Sequence, residues 1–189
     1  NHTEALKQEY KIIVRNKKTM EETTASARLI GDYDIVNPGS YMQFQNRAGK
    51  NILACEWYNM NSSVASRNEG VIAKMYQPTI RFYYKRNGEE TFVDIPFATQ
   101  LNKNPNAGVM MSYNIEFDYL VSDLRKVLEG ASCDWTNRTS MFELYVSSCD
   151  LNMYEYYSNS RQESGQLVDK PIYTNVKNGY GLFAARRQS

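Results

Sequence analysis

The chain has one histidine, His2, in 189 residues. With His2 alone, at an end expected to fray, a Ser-His-Asp or Cys-His relay and a histidine-based metal site built from the chain's own side chains are not expected. Cysteine is nearly as sparse. Cys55, Cys133 and Cys149 are odd in number and show no short paired spacing, so neither a zinc knuckle nor a redox pair is written here. One disulfide among them and buried free thiols both fit. No apolar run approaches the roughly 18 residues that a spanning helix needs. Charge of one sign is missing too: 22 basic and 21 acidic residues leave a net charge of +1, which offers no chain-wide attraction for nucleic acid or anionic lipid. Gly179-Tyr-Gly181 lacks the lysine and the following helix of a phosphate-cradling loop. Asp32, Asp34 and Asn37 lie close in sequence without the twelve-residue calcium loop, and read as a turn cluster. We therefore expect no cofactor, no metal site and no catalytic residues.

What is present suits a packed domain. Hydrophobic residues at 42% and charged residues at 23% are ordinary for a globular chain, and this length supports one large domain over 1–189. The chain opens at Asn1 without a signal-peptide pattern and soon reaches strand-like residues, Glu9 to Val14. We expect more polypeptide upstream. Fifteen tyrosines, against seven phenylalanines and two tryptophans, suit half-wet faces, where a ring packs and a hydroxyl stays wet. Tyrosine-rich strands that simply pack well in sheets are the plainer reading.

Periodicity predicts mostly strands. Glu9 to Arg15 and Thr19 to Ile30 read as a hairpin across Asn16-Lys-Lys18. Asn37-Pro-Gly-Ser40 breaks the chain, Tyr41 to Gln45 resumes alternation, and Asn46-Arg-Ala-Gly49 breaks it again. Ile52 to Trp57 is a strand, followed by a polar loop from Asn59 to Gly70. Tyr76 to Lys85 alternates Ile80, Phe82 and Tyr84 against Thr79, Arg81 and Tyr83. Asn87-Gly88 then turns it into a returning strand, Thr91 to Pro96. The Asn-rich stretch 99–108 reads as a linker and the one candidate sub-boundary. Phe117, Leu120, Leu124, Val127 and Leu128 recur at helical spacing, which predicts an amphipathic helix over about 113–129. Met141 to Cys149 returns to strand, and Asp150 reads as the N-cap of a short helix over about 151–158. The fold expected is mainly β (α+β), an immunoglobulin- or fibronectin-like antiparallel β-sandwich with these two helices, by analogy in spacing.

Two aromatic groups could stack on sugar rings or on a partner's side chains: Phe82, Tyr83 and Tyr84 in one strand, and Tyr154, Tyr156 and Tyr157 around the second helix. In each trio some rings must be core. Glu56, Glu143 and Asp94 would be the first carboxylates to examine for glycoside hydrolysis, although acids that alternate in strands usually face solvent. Asn1-His-Thr3, Asn61-Ser-Ser63 and Asn137-Arg-Thr139 match a glycosylation pattern that recurs by chance. The C-terminal segment reads as built rather than frayed. Asn178-Gly179 signals a turn at positive φ, and Gly181 allows another backbone to approach. Asn175 and Asn178 can bond local backbone, and Tyr180 and Phe183 can anchor the tail in the core.

Three stretches carry a family resemblance: YTNVKNGYGLFAAR at the end, MYQPTIRFYYKRNGEETFVDIPF in the central hairpin and ELYVSSCDLNMYEYY before it closes. Over roughly Glu9 to Arg186 the chain resembles a family of secreted Bacteroidetes lipoproteins catalogued as a domain of unknown function. The resemblance implies an exported, outer-membrane-associated protein of the cell envelope, periplasmic or surface-exposed. Its membrane attachment would be only through a lipid anchor upstream, and an immunoglobulin-like part would stand N-terminal to it. It implies a noncatalytic accessory binding or assembly component whose partner is an outer-membrane receptor protein or a glycan, with no nucleic acid. An adhesin or pilus-type subunit exposing a sheet edge is the alternative, and a carbohydrate-active enzyme with paired carboxylates is a third reading.

Overall fold

Two antiparallel sheets share one apolar cluster, and a separate hairpin is clamped beside them by the C-terminal segment. The computed structural model describes residues 9–59, 72–103, 109–129, 134, 136, 138–160 and 173–189. His2, Cys133, Asn1, Asn61, Asn137 and most of the loop expected over Asn59 to Gly70 lie outside the described residues.

The hairpin is β1 (Glu9–Arg15) with β2 (Glu22–Arg28). In the first sheet, β5 (Lys50–Tyr58) carries β9 (Met110–Glu116) along one edge, and β3 (Ile35–Asn37) and β4 (Gln45–Arg47) in succession along the other. In the second, β6 (Met75–Arg86) pairs on one side with β10 (Phe142–Cys149). On the other side it meets β7 (Glu89–Pro96) and then β8 (Gln100–Leu101), while β11 (Arg186–Gln188) closes the far edge of β10. Helix α1 (Phe117–Leu128) follows β9 directly, and α2 (Leu151–Ser160) follows β10. The chain is thus mainly β, as its alternation implied.

Alternation places the core. Leu53, Cys55 and Trp57 on β5 turn toward Tyr76, Ile80 and Val146 of the other sheet, and all are buried. Tyr76 sits centrally, with its ring 5.3 Å from Tyr33 and 5.7 Å from Trp57. Asn87 and Gly88 adopt φ of 54° and 84°, the turn that matches the twist of the flanking strands.

Three expectations change. The amphipathic helix begins at Phe117 rather than near 113, because residues 110–116 alternate and bury Ile115 against β5. Period-two pairing wins there, and Glu116 ends the strand and starts the helix at once. Only the middle of its apolar stripe is seated: Leu120 is buried, whereas Val127 stays 54% exposed. Tyr41 to Gln45 is not a strand; pairing starts at Gln45, and the reversal is made by Ala48 and Gly49 at φ of 51° and 79°. The expected linker is partly sheet. Gln100 and Leu101 pair with β6, and buried Asn102 donates from its backbone to Lys74 O (2.9 Å) and from its side chain to Ala73 O (3.1 Å). Residues 104–108 lie outside the described residues.

The C-terminal segment is built by side chains that act as strand partners. Thr174 Oγ1 accepts from Gly181 N (3.1 Å) and donates to Gly181 O (2.9 Å), while Asn175 bonds both N and O of Phe183 at 2.9 and 2.6 Å. Lys177 exchanges two backbone bonds with Thr24, and Asn178 Nδ2 donates to Glu22 O (3.2 Å), so the segment lies along β2. Two of its residues depart from expectation. Tyr180 is 89% exposed, because it stands at the turn between Asn178 (φ 59°) and Gly181 (φ 147°); buried Ala185 anchors the tail instead, with Phe183 half-buried. The two glycines also exchange roles. Gly181 supplies the left-handed backbone, and Gly179 is the close approach, since a Cβ there would stand 2.9 Å from Thr23 Cγ2. We expect Gly179→Ala to cost about 1–3 kcal/mol in urea unfolding through that overlap. Adding Thr23→Ser, which deletes the opposing methyl and keeps the hydroxyl, should recover most of the loss.

Candidate functional site

The outward residues of β6 are Met75, Gln77, Thr79, Arg81 and Tyr83, and register aligns the first four with Cys149, Ser147, Tyr145 and Glu143 on β10. Asp94 and Phe92 of β7 extend the rows of Arg81 and Tyr83. At about 3.3 Å per residue, this face runs about 26 Å from Tyr83 to Met75. One end is open, and the other is roofed by α2.

At the open end, guanidinium groups and rings alternate. Arg138 Cζ lies 3.8 Å from the Tyr83 ring centroid, and Arg81 Cζ lies 3.8 Å from that of Phe92 and 4.9 Å from that of Tyr145. Such contacts orient both partners at about 0.5–1 kcal/mol each where exposed. Arg81 also grips Asp94 with two bonds, at 2.7 and 2.9 Å. Glu143 accepts from Tyr83 (2.7 Å), from the Tyr145 hydroxyl and from Arg138 (2.9 Å).

These donors decide the state of the acids. The Tyr145 and Tyr83 hydroxyls, with Arg138 beside them, hold Glu143 below the ordinary 4.5 of a glutamate. Arg81 holds Asp94 below 3.8. Carboxylates so held are ionised at neutral pH and carry no proton for a leaving group. Glu56 points outward from the opposite sheet, so the three carboxylates do not form one site. Because the folded values are depressed, their stabilisation is complete above about pH 4.5 and fades as pH falls through the lower folded values. Glu143→Gln should therefore lower Tm at neutral pH and flatten the acid limb of a Tm-against-pH curve, so that variant and parent converge as pH falls.

At the roofed end lies a cleft of about 450 Å³. Gln77, Ser147 and Cys149 form its floor, Leu101 one wall, and Tyr154 and Tyr157 the other. The helix that carries those tyrosines is started by Asp150, whose Oδ1 accepts from Met153 N at 3.0 Å, as a cap should. Asp150 Oδ2 also accepts from Ala185 N at 3.0 Å, and Arg186 donates to Ser147 Oγ at 3.1 Å. The tail therefore props the cleft. Cys149 and Cys55 are free thiols; burial pushes them up to about 11 and about 12, so they are protonated and inert at neutral pH.

No protein-family model, curated protein or solved structure matches this chain.

Of the five tyrosines expected to form a platform, the fold brings Tyr83, Tyr154 and Tyr157 to this one face. Tyr156 meets Tyr157 edge-on at 5.8 Å, outside the cleft lining. Tyr84 is withdrawn from it: alternation turns it into the interior, 8% exposed and stacked 6.0 Å from Phe82. Sequence reasoning missed Phe92, Tyr145, Arg81 and Arg138. The alternation of β6 signalled Arg81, but its neighbours on β7 and β10 follow from register alone. Asp32 is committed to an ion pair with Arg187. Among the described residues, no group of three or more His, Cys, Asp or Glu side chains gathers where a metal could be held.

Proposed function

We propose that this chain is a noncatalytic binding module of a Bacteroidetes cell-envelope lipoprotein, an accessory component at the outer membrane that takes a glycan along the outer face of its five-stranded sheet. One observation carries the reading: rings and fixed polar groups follow one another from Phe92 and Tyr83 to the cleft under Tyr154 and Tyr157. Rings stack on the apolar faces of sugars, and hydroxyl, amide and guanidinium groups held in place meet their hydroxyls at little ordering cost. At the open end Asp94 and Glu143 neutralise Arg81 and Arg138, so that part of the surface is polar without a strong field of either sign. Kinship with immunoglobulin and fibronectin sandwiches belongs to the same reading, supported by Trp57 buried against Tyr76 between sheets. The envelope location and the lipid anchor rest on the motif resemblance.

The test is affinity electrophoresis of the purified chain through gels containing single polysaccharides. Retardation by one of them, lost in Tyr157→Ala and weakened in Phe92→Ala while circular dichroism is unchanged, is the expected result. Free migration in every gel removes the glycan reading. If the lipidated protein then copurifies with a stoichiometric envelope receptor, the accessory role survives with a protein partner.

A further inference from the structure

Strand β1 is an anomaly of burial. All seven of its residues are exposed, yet four are large and apolar or aromatic: Tyr10, Ile12, Ile13 and Val14, at 38 to 57%. Register shows that three of these belong on the inward face. Tyr10 and Ile12 stand opposite Ala27 and Ala25, which are buried, and Val14 stands opposite Thr23. The row Tyr10, Ile12, Val14 therefore continues the core side of β2 past the body of the domain, and among the described residues nothing covers it. Among those residues β1 also has a strand partner on one edge alone.

The hydrogen-bond parity of that free edge can be worked out. Asn16 N donates to Glu21 O, which makes Asn16 and Glu21 a bonded pair. Bonded and non-bonded pairs then alternate, so Val14, Ile12 and Tyr10 direct their N–H and C=O toward β2. Thr24, opposite Ile13, accordingly turns away from β1 to bond Lys177. Glu9, Lys11, Ile13 and Arg15 are left pointing their backbone groups outward.

We propose that a second copy of this chain covers the edge, pairing β1 with β1 antiparallel about a two-fold axis at Ile12. Two-fold symmetry demands a self-complementary strand, and Glu9-Tyr-Lys-Ile-Ile-Val-Arg15 is one. Centred on Ile12, Glu9 faces Arg15 of the other copy, Tyr10 faces Val14, and Lys11 faces Ile13. All four outward N–H groups and their carbonyls find partners, and the inward row becomes Tyr10 to Val14, Ile12 to Ile12 and Val14 to Tyr10. Neighbouring symmetric registers are worse: centring on Lys11 sets two lysines face to face, and centring on Ile13 sets Lys11 against Arg15. Each also leaves residues at the strand ends unpaired. The product is one sheet, β2-β1-β1-β2, which uses up both edges and stops at two copies. That closure separates it from a pilus-type subunit, whose head-to-tail pairing would continue.

The experiment uses the full chain with Cys133→Ser, since Cys55 and Cys149 are buried. Sedimentation velocity over a concentration series should show monomer passing to dimer and no larger species. Ile13→Pro removes an outward N–H without a bond to β2, so it should leave circular dichroism unchanged and the protein monomeric at every concentration. Ile12→Cys should form a disulfide dimer on mild oxidation, because facing Cα atoms in a non-bonded pair are about 4.5 Å apart. Ile13→Cys should not, its equivalent standing roughly 7–8 Å away. A monomer at all concentrations overturns the proposal. So does a dimer that survives Ile13→Pro, a cross-link at Ile13 in place of Ile12, or a ladder of higher species.

Discussion

Replacing Asp150 by alanine is expected to lower unfolding free energy by about 2–4 kcal/mol, as two separate losses add. The first is the cap of α2, whose Met153 N–H loses its acceptor; caps of this kind contribute about 1 kcal/mol. The second is larger. Ala185 is buried, and its N–H donates to Asp150 Oδ2, so alanine leaves that donor without an acceptor, at a cost of about 1–3 kcal/mol. Asp150→Asn keeps one carbonyl oxygen for two donors and should cost about half as much. Urea unfolding measures the loss. Limited proteolysis measures its consequence, because Ala185 is where the tail enters the core: cleavage between Tyr173 and Ala185 should accelerate in Asp150→Ala before global unfolding does. Equal stability of variant and parent would show that the tail is held elsewhere.

Tyr76→Ala should cost still more, about 3–5 kcal/mol, since it empties the point where the two sheets and the Tyr33 segment meet. The side chain is wholly buried, and its hydroxyl donates to the Asn59 carbonyl at 3.1 Å. Tyr76→Phe isolates that bond and should cost about 1–2 kcal/mol. Burial raises the Tyr76 hydroxyl well above the ordinary 10.0 of a tyrosine. The folded protein therefore binds this proton more tightly than the unfolded chain. The stability tied to it is complete below pH 10 and is lost as pH rises toward the folded value. Alkaline unfolding should thus begin at higher pH in Tyr76→Phe than its lower neutral stability alone would suggest, and parallel titrations of Tm would detect the crossover.

Several features were legible because their cause is local. Asn87-Gly88 makes its turn through residues that accept positive φ, whatever surrounds them. Asp150 caps α2 because its own side chain reaches Met153 three residues on. The two faces of β6 follow from the pleat alone. Errors arose where a local pattern met a remote competitor. Helical spacing reaches back toward Tyr113, but the edge of β5 captures residues 110–116 as a strand. Tyr84 carries the chemistry of a platform residue, and only the position of the second sheet makes it core. Gly179 and Gly181 look interchangeable in the chain; Thr23, 156 positions before Gly179, assigns the tight contact to one of them.

The sequence by itself determined a mainly β chain, its main hairpins, its two helices to within a few residues and the scarcity of histidine that narrows its chemistry. These depend on backbone freedom, side-chain period and composition, which act over a few residues. Tertiary structure alone decided that Arg81, Phe92, Tyr145 and Arg138 share a face with Tyr83, and that this face ends beneath Tyr157. It alone left the inward row of β1 uncovered among the described residues. Register across strands far apart in sequence is set by which apolar rows can be buried together, and a single strand's pattern holds only half of that information.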